Sequence, residues 1–166
     1  MFKIKFVFIF LILLFLFSCS KNVTEKSITK EKDIELQMIE AYEEGLKELK
    51  RGDALFAAKK FNEAEILFPQ SNYAPKAALM AAYSYYSQNY YADAQAELIR
   101  FLRVYPNHKD IAYAEYLLGL CYYEQIVDEK KDLQSIISAK KTFNSLISKY
   151  PDTEFATDAM FKINLI

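Results

Sequence analysis

Apolar residues are distributed along this chain in two ways. From Phe6 to Phe17 they form an unbroken run, whereas beyond about residue 35 they are set among polar residues in a pattern that repeats. Between the two lies Ser20 to Ile34 (SKNVTEKSITKEKDI), polar, charged and without apolar periodicity, which predicts a flexible tether. The register of the repeat is set by an aromatic residue followed by Pro, at Phe68-Pro69, Tyr105-Pro106 and Tyr150-Pro151. Twelve residues before each Pro stand Ala57, Ala94 and Ala139; eight before stand Phe61, Leu98 and Phe143; eight after stand Ala77, Ala114 and Ala159. Tyr85 and Tyr122 follow the first two prolines by sixteen residues. A small residue lets two helices approach and the large one a turn later fills the space beside it, while Pro ends the second helix of a pair. Each pair leaves an apolar face that only its neighbour can cover. The pattern therefore predicts an all-α solenoid of about three and a half helix pairs, with helices near 35–51, 53–67, 73–88, 91–104, 110–127, 135–149 and 153–166. The prolines are 37 and then 45 residues apart, so the second interval carries an insertion, assigned to the polar stretch Asp128 to Gln134.

Composition agrees and removes several function classes. Three Gly and four Pro among 166 residues suit helices. The net charge is −1, and −3 without Lys3 and Lys5 of the first segment, so there is no polybasic footprint and no nucleic-acid partner is expected. His108 is the only His and has no second His or Cys close to it in sequence, so it reads as a loop or helix-start residue. No metal and no cofactor is expected. Cys121, inside an apolar helix, reads as a small buried hydrophobe. The carboxylates fall singly or in helix-face patterns with Lys, as in Glu43, Glu44, Lys47 and Glu48. With no phosphate loop, nucleophile elbow or metal motif, the sequence predicts no enzyme.

The amino-terminal run of twelve apolar residues follows Lys3 and Lys5 and is shorter than the roughly 20 residues that span a bilayer, but it fits the apolar region of a signal peptide. It ends at Leu16-Phe17-Ser18-Cys19, which resembles the bacterial lipobox: Leu three before the Cys, a small residue just before it, then the Cys that receives a diacyl group. Phe17 departs from the pattern, where a small or aliphatic residue is usual. The resemblance implies cleavage after Ser18 and a lipid anchor on Cys19, each buried CH₂ contributing about 0.8 kcal/mol. Cys121 is then left without an intramolecular partner and no disulfide framework is expected. Ser20 lacks the Asp associated with inner-membrane retention in enteric bacteria, which implies the periplasmic face of the outer membrane. The expected organisation is a signal peptide over 1–18, a tether over 19–34 and a repeat domain over 35–166.

The helix pairs resemble the tetratricopeptide repeat: Leu118-Gly119 and Tyr122 match its Leu-Gly-x-x-Tyr element, the Ala57/Phe61, Ala94/Leu98 and Ala139/Phe143 pairs its later small and large positions, and the three prolines its end. Together with the lipobox and the tether, three segments resemble the BamD family of outer-membrane assembly lipoproteins. They are Tyr42, Gly45, Leu49, Gly52 and Asp53; Phe61 to Pro69; and RFLRVYPNHKDIAYAEYLLGLCYY from Arg100 to Tyr123. The resemblance implies an assembly scaffold whose partners are a BamA-like barrel subunit, other lipoproteins of the machinery and unfolded outer-membrane proteins. Family members carry about five repeats, of which this sequence is expected to supply three and the first helix of a fourth. Other readings of the same repeats are a pilus-assembly lipoprotein, a cell-division coordinator, or the accessory domain of a peptidoglycan hydrolase. In the resembled repeat the first helix of each pair lines the concave face. Transferring that register, with Ala82 and Gly119 in the small-residue column, places Lys76, Leu79, Tyr83 and Tyr86 there, followed by Tyr113, Tyr116, Leu120 and Tyr123. The candidate peptide-binding groove is therefore Tyr83, Tyr86, Tyr113, Tyr116 and Tyr123, with Tyr85 and Tyr122 assigned to packing.

Overall fold

The computed structural model describes residues 24–126 and 133–166. The expected signal peptide, Cys19, the first tether residues and most of the expected insertion lie outside the described residues. The chain divides into two units, 1–34 and 35–166; apart from residues 24–34 of the first helix, everything that follows lies in the second. The helices are α1 (Thr24–Arg51), α2 (Ala54–Leu67), α3 (Ala74–Ser87), α4 (Tyr91–Val104), α5 (Ile111–Tyr123), α6 (Leu133–Lys149) and α7 (Glu154–Ile163). Among the described residues there is no strand. From α2 onward each helix packs on the next, and α5 also touches both α3 and α7. The first helices of successive pairs thus line one face, and the expected all-α solenoid is what the chain forms.

Two boundaries differ from the sequence expectation by more than three residues. α1 starts at Thr24 rather than near residue 35, so the polar stretch is helical from there: it is rich in Glu and Lys, both good helix formers, and holds no Gly or Pro to stop a helix. α5 ends at Tyr123 rather than 127, because the side-chain amide of Gln125 donates to the Cys121 carbonyl at 2.5 Å while its backbone N–H turns to the Tyr122 carbonyl at 3.3 Å.

The turns are as repetitive as the helices. Gly52, at φ +82°, closes α1 with the paired contacts Gly52 N to Leu49 O and Asp53 N to Glu48 O, both 3.1 Å. Asp53 then caps α2, its carboxylate accepting from Phe56 N at 3.0 Å. Thirty-seven residues later Asn89, at φ +64°, closes α3 with the same pair of bonds, Asn89 N to Tyr86 O and Tyr90 N to Tyr85 O. The next position in that register is Ile126, whose β-branch disfavours the left-handed conformation; its φ is negative, and the insertion follows. The three aromatic-Pro sites form matching β-turns, in which the N–H of Ser71, His108 or Thr153 donates to the carbonyl of Phe68, Tyr105 or Tyr150, with Pro at the second position, its preferred place.

The columns read from the sequence form the core. Ala57, Ala94, Ala139, Phe61, Leu98, Phe143, Ala77, Ala114 and Ala159 are all fully buried. Their sizes are matched in pairs. A Cβ on Gly45 would lie 2.8 Å from the ring of Phe61, and one on Gly119 would collide with the ring of Phe143, whereas the pair between them is Ala82 with Leu98. Gly faces Phe and Ala faces Leu.

Candidate functional site

The face lined by α3 and α5 holds a cleft of about 390 Å³, walled by Lys76, Leu79, Met80 and Tyr83 of α3 and by Asp110 and Tyr113 at the start of α5. Pro75 in the first turn of α3 orients that end of the helix. The Lys76 ammonium lies 5.7 Å from the centre of the Tyr42 ring, which leaves a cation at one end of the cleft and the Asp110 carboxylate at another wall. Tyr83 is 37% exposed. Tyr113 is half-buried, and burial, with Tyr83 beside it, pushes its hydroxyl up to about 12. The cleft is thus an aromatic and aliphatic slot with opposite charges on its rim, suited to hold an extended segment.

The five candidate tyrosines do not share one environment. Tyr83 and Tyr113 line the cleft with Lys76 and Leu79. Tyr86 packs against Tyr91, ring centres 5.9 Å apart, and burial raises its hydroxyl to about 12. Tyr116 lies 5.4 Å from Phe155 in a stacked arrangement, and its hydroxyl donates to Asp158 on α7; burial and that bond raise its pKa. Tyr123 sits beneath the Lys162 ammonium at 4.9 Å and beside Phe143. The α7 end of this face is therefore already occupied by the chain's own side chains. Tyr85 and Tyr122 are partly buried rather than enclosed.

The signature of the YfiO family, described as an outer membrane lipoprotein, matches residues 34–166. The chain belongs to this family. It is 37% identical over 125 residues to a Caulobacter vibrioides protein named outer membrane protein assembly factor BamD, covering 75% of this chain and 41% of that one. The Rickettsia prowazekii protein of the same name is 34% identical over 141 residues, 85% of this chain and 56% of that one, and the one from Neisseria meningitidis serogroup B is 29% identical over 128 residues, 71% and 48%. The chain spans about half the length of the curated relatives it matches.

On the second helices of this YfiO member lie polar contacts that the sequence reading missed. Glu65 on α2, only 7% exposed, accepts from Arg100 on α4 through Nη1 to Oε1 at 2.8 Å and Nη2 to Oε2 at 2.6 Å, and from the Tyr105 hydroxyl at 2.6 Å. Arg100 also donates to Glu97, which in turn accepts from Asn62 at 3.0 Å. Glu65 raises the pKa of Arg100 further, and burial together with Glu65 raises that of Tyr105. Glu65 and Arg100 are 35 residues apart and fall in different columns, so the spacing of 37 conceals them. His108 packs edge-on against Phe101 at 5.7 Å, and its Nδ1 accepts from Asp110 N at 3.3 Å. Burial pushes the Cys121 thiol up to about 12, which disfavours a thiolate.

Proposed function

We propose that the repeat unit is the scaffold of a lipid-anchored outer-membrane assembly factor and holds extended segments of unfolded outer-membrane proteins in the cleft between α3 and α5. The observation that carries this is the cleft itself, with Leu79, Met80, Tyr83 and Tyr113 between Lys76 and Asp110. Barrel strands alternate apolar and polar residues in segments of about ten. Tyrosine rings offer rigid apolar area at low entropic cost, with a hydroxyl left for the client backbone. The names of the relatives support the assembly role. On this reading the anchor is on Cys19, the domain stands at the periplasmic face of the outer membrane, and its partners are a BamA-like barrel subunit and the other lipoproteins of that machinery. No catalytic step is assigned.

The test is binding of a labelled ten-residue barrel-strand peptide to the full chain in detergent. Tyr83→Ala and Tyr113→Ala should each weaken it about tenfold, about 1.4 kcal/mol, and Tyr83→Ala should leave the thermal melt nearly unchanged. Tyr116→Ala should instead lower the melting temperature, since its ring and hydroxyl are engaged with Phe155 and Asp158. Unchanged peptide affinity in both cleft variants overturns the proposal. For the anchor, Cys19→Ala should leave a precursor without acyl label, and normal labelling would refute it.

A further inference from the structure

Successive units are closed differently at their second helices. At the first junction Glu65, four residues before Pro69, meets Arg100, six residues before Pro106, and both carboxylate oxygens are satisfied. Counted from the next Pro, those positions are Leu102 on α4 and Ser145 on α6. The second junction has lost the carboxylate and the guanidinium alike. A different carboxylate reaches it from α5: Glu115, where α3 has Ala78. Glu115 is 7% exposed, and its Oε1 accepts from Ser145 at 3.2 Å and from the Lys149 ammonium. Its Oε2 is buried and has no partner among the described residues. Glu115 and Ser145 line a cleft of about 280 Å³ together with Leu102, Leu118, Tyr122 and Thr142. A buried carboxylate oxygen left unpaired is destabilising, so Glu115 Oε2, on a residue that lines the cleft, calls for a hydrogen-bond donor.

We propose that this cleft receives an arginine side chain of a partner protein, whose guanidinium donates to Glu115 Oε2 and stands where Arg100 stands in the preceding unit. A planar fork of donors can serve Oε2 and the neighbouring hydroxyls at once, and Leu118 and Tyr122 give its aliphatic stem an apolar wall. Lys149 already serves Oε1 with its side chain 55% exposed, so water screens its charge. Lys141, also at the cleft, is exposed, and its ammonium can stay in solvent.

N-acetyl-arginine amide, titrated into the isotope-labelled full chain in detergent micelles, should shift the amides of Tyr122, Thr142 and Ser145 saturably. Glu115→Gln should weaken it at least tenfold. Ser145→Arg restores the guanidinium in the chain itself: it should abolish probe binding and raise the melting temperature, a rise that Glu115→Gln added to it removes. Tyr83→Ala should leave the titration unchanged, which separates this site from the cleft on the first helices. No saturable shift, as for a buried water alone on Oε2, or shifts that survive Glu115→Gln or Ser145→Arg, overturns the proposal.

Discussion

A methyl group added at Gly119 would press on the ring of Phe143, which is fully buried with helices around it. The gain in helix propensity from Gly to Ala is about 1 kcal/mol, and overpacking costs about 1–3 kcal/mol. With a ring rather than a flexible chain in the way, overpacking wins, and Gly119→Ala should lower stability in urea melts by about 1–2 kcal/mol. Combined with Phe143→Leu it reproduces the Ala82 and Leu98 pair of the preceding unit, so the double variant should lose less than the two singles summed, a coupling that a double-mutant cycle reads. These columns were legible in the sequence because repetition displays them three times. The tyrosine environments were not, because Phe155 and Asp158, which engage Tyr116, arrive from the next unit and no local period announces them. Tyrosine ionisation offers a second check. Tyr86 and Tyr113 hold their protons up to about 12 when folded, against about 10 in an unfolded chain. The folded state therefore binds more protons between those values. The stability this contributes is intact below about pH 10 and lost as pH rises toward 12. A tyrosinate absorbance titration should show a late phase coincident with loss of helix; complete ionisation near 10 with the helices intact would contradict it.

Among the elements, the short connections carry as much specification as the helices. Gly52 and Asn89 hold the same left-handed turn in successive pairs. Gly52→Ala should cost about 1–2 kcal/mol, the penalty of a Cβ in that conformation, whereas Asn89→Gly should be neutral or slightly stabilising in the same thermal melts. Asp53→Ala should cost about 1 kcal/mol by removing the cap of α2. The Leu-x-x-Gly-Asp stretch that ends at Asp53 could be matched from the sequence, and the structure explains its order: Gly to stop one helix and Asp to start the next. Where α1 begins could not be read, because a charged segment without an apolar stripe has the composition of a coil and of a solvated helix alike. The end of α5 was obscured for a related reason, since the side chain that takes the Cys121 carbonyl is a Gln, a residue equally common inside helices.

At the scale of the whole repeat unit, the apolar face of α7 stands apart. Met160 and Phe161 are 45% and 63% exposed, as is Leu165 just beyond the helix at 53%, and the three occupy the register of Glu115, Tyr116 and Leu120 on α5, where Glu115 and Leu120 are buried. In the domain by itself hydrogen exchange should be faster over 154–166 than over α3 or α5, and apparent mass should rise with concentration. Strong protection of 154–166 in a verified monomer would contradict this. The ion pair of Glu65 and Arg100 has a consequence of another kind. A stack of helix pairs is a spring, and each junction contributes its own stiffness. A bidentate clamp between α2 and α4, backed by Tyr105, resists both twist and opening, while Leu102 and Ser145 at the next junction supply no such brace. Elastic compliance is therefore unevenly spread, and a load along the stack would open it between α4 and α6 while α2 and α4 still turn as one body.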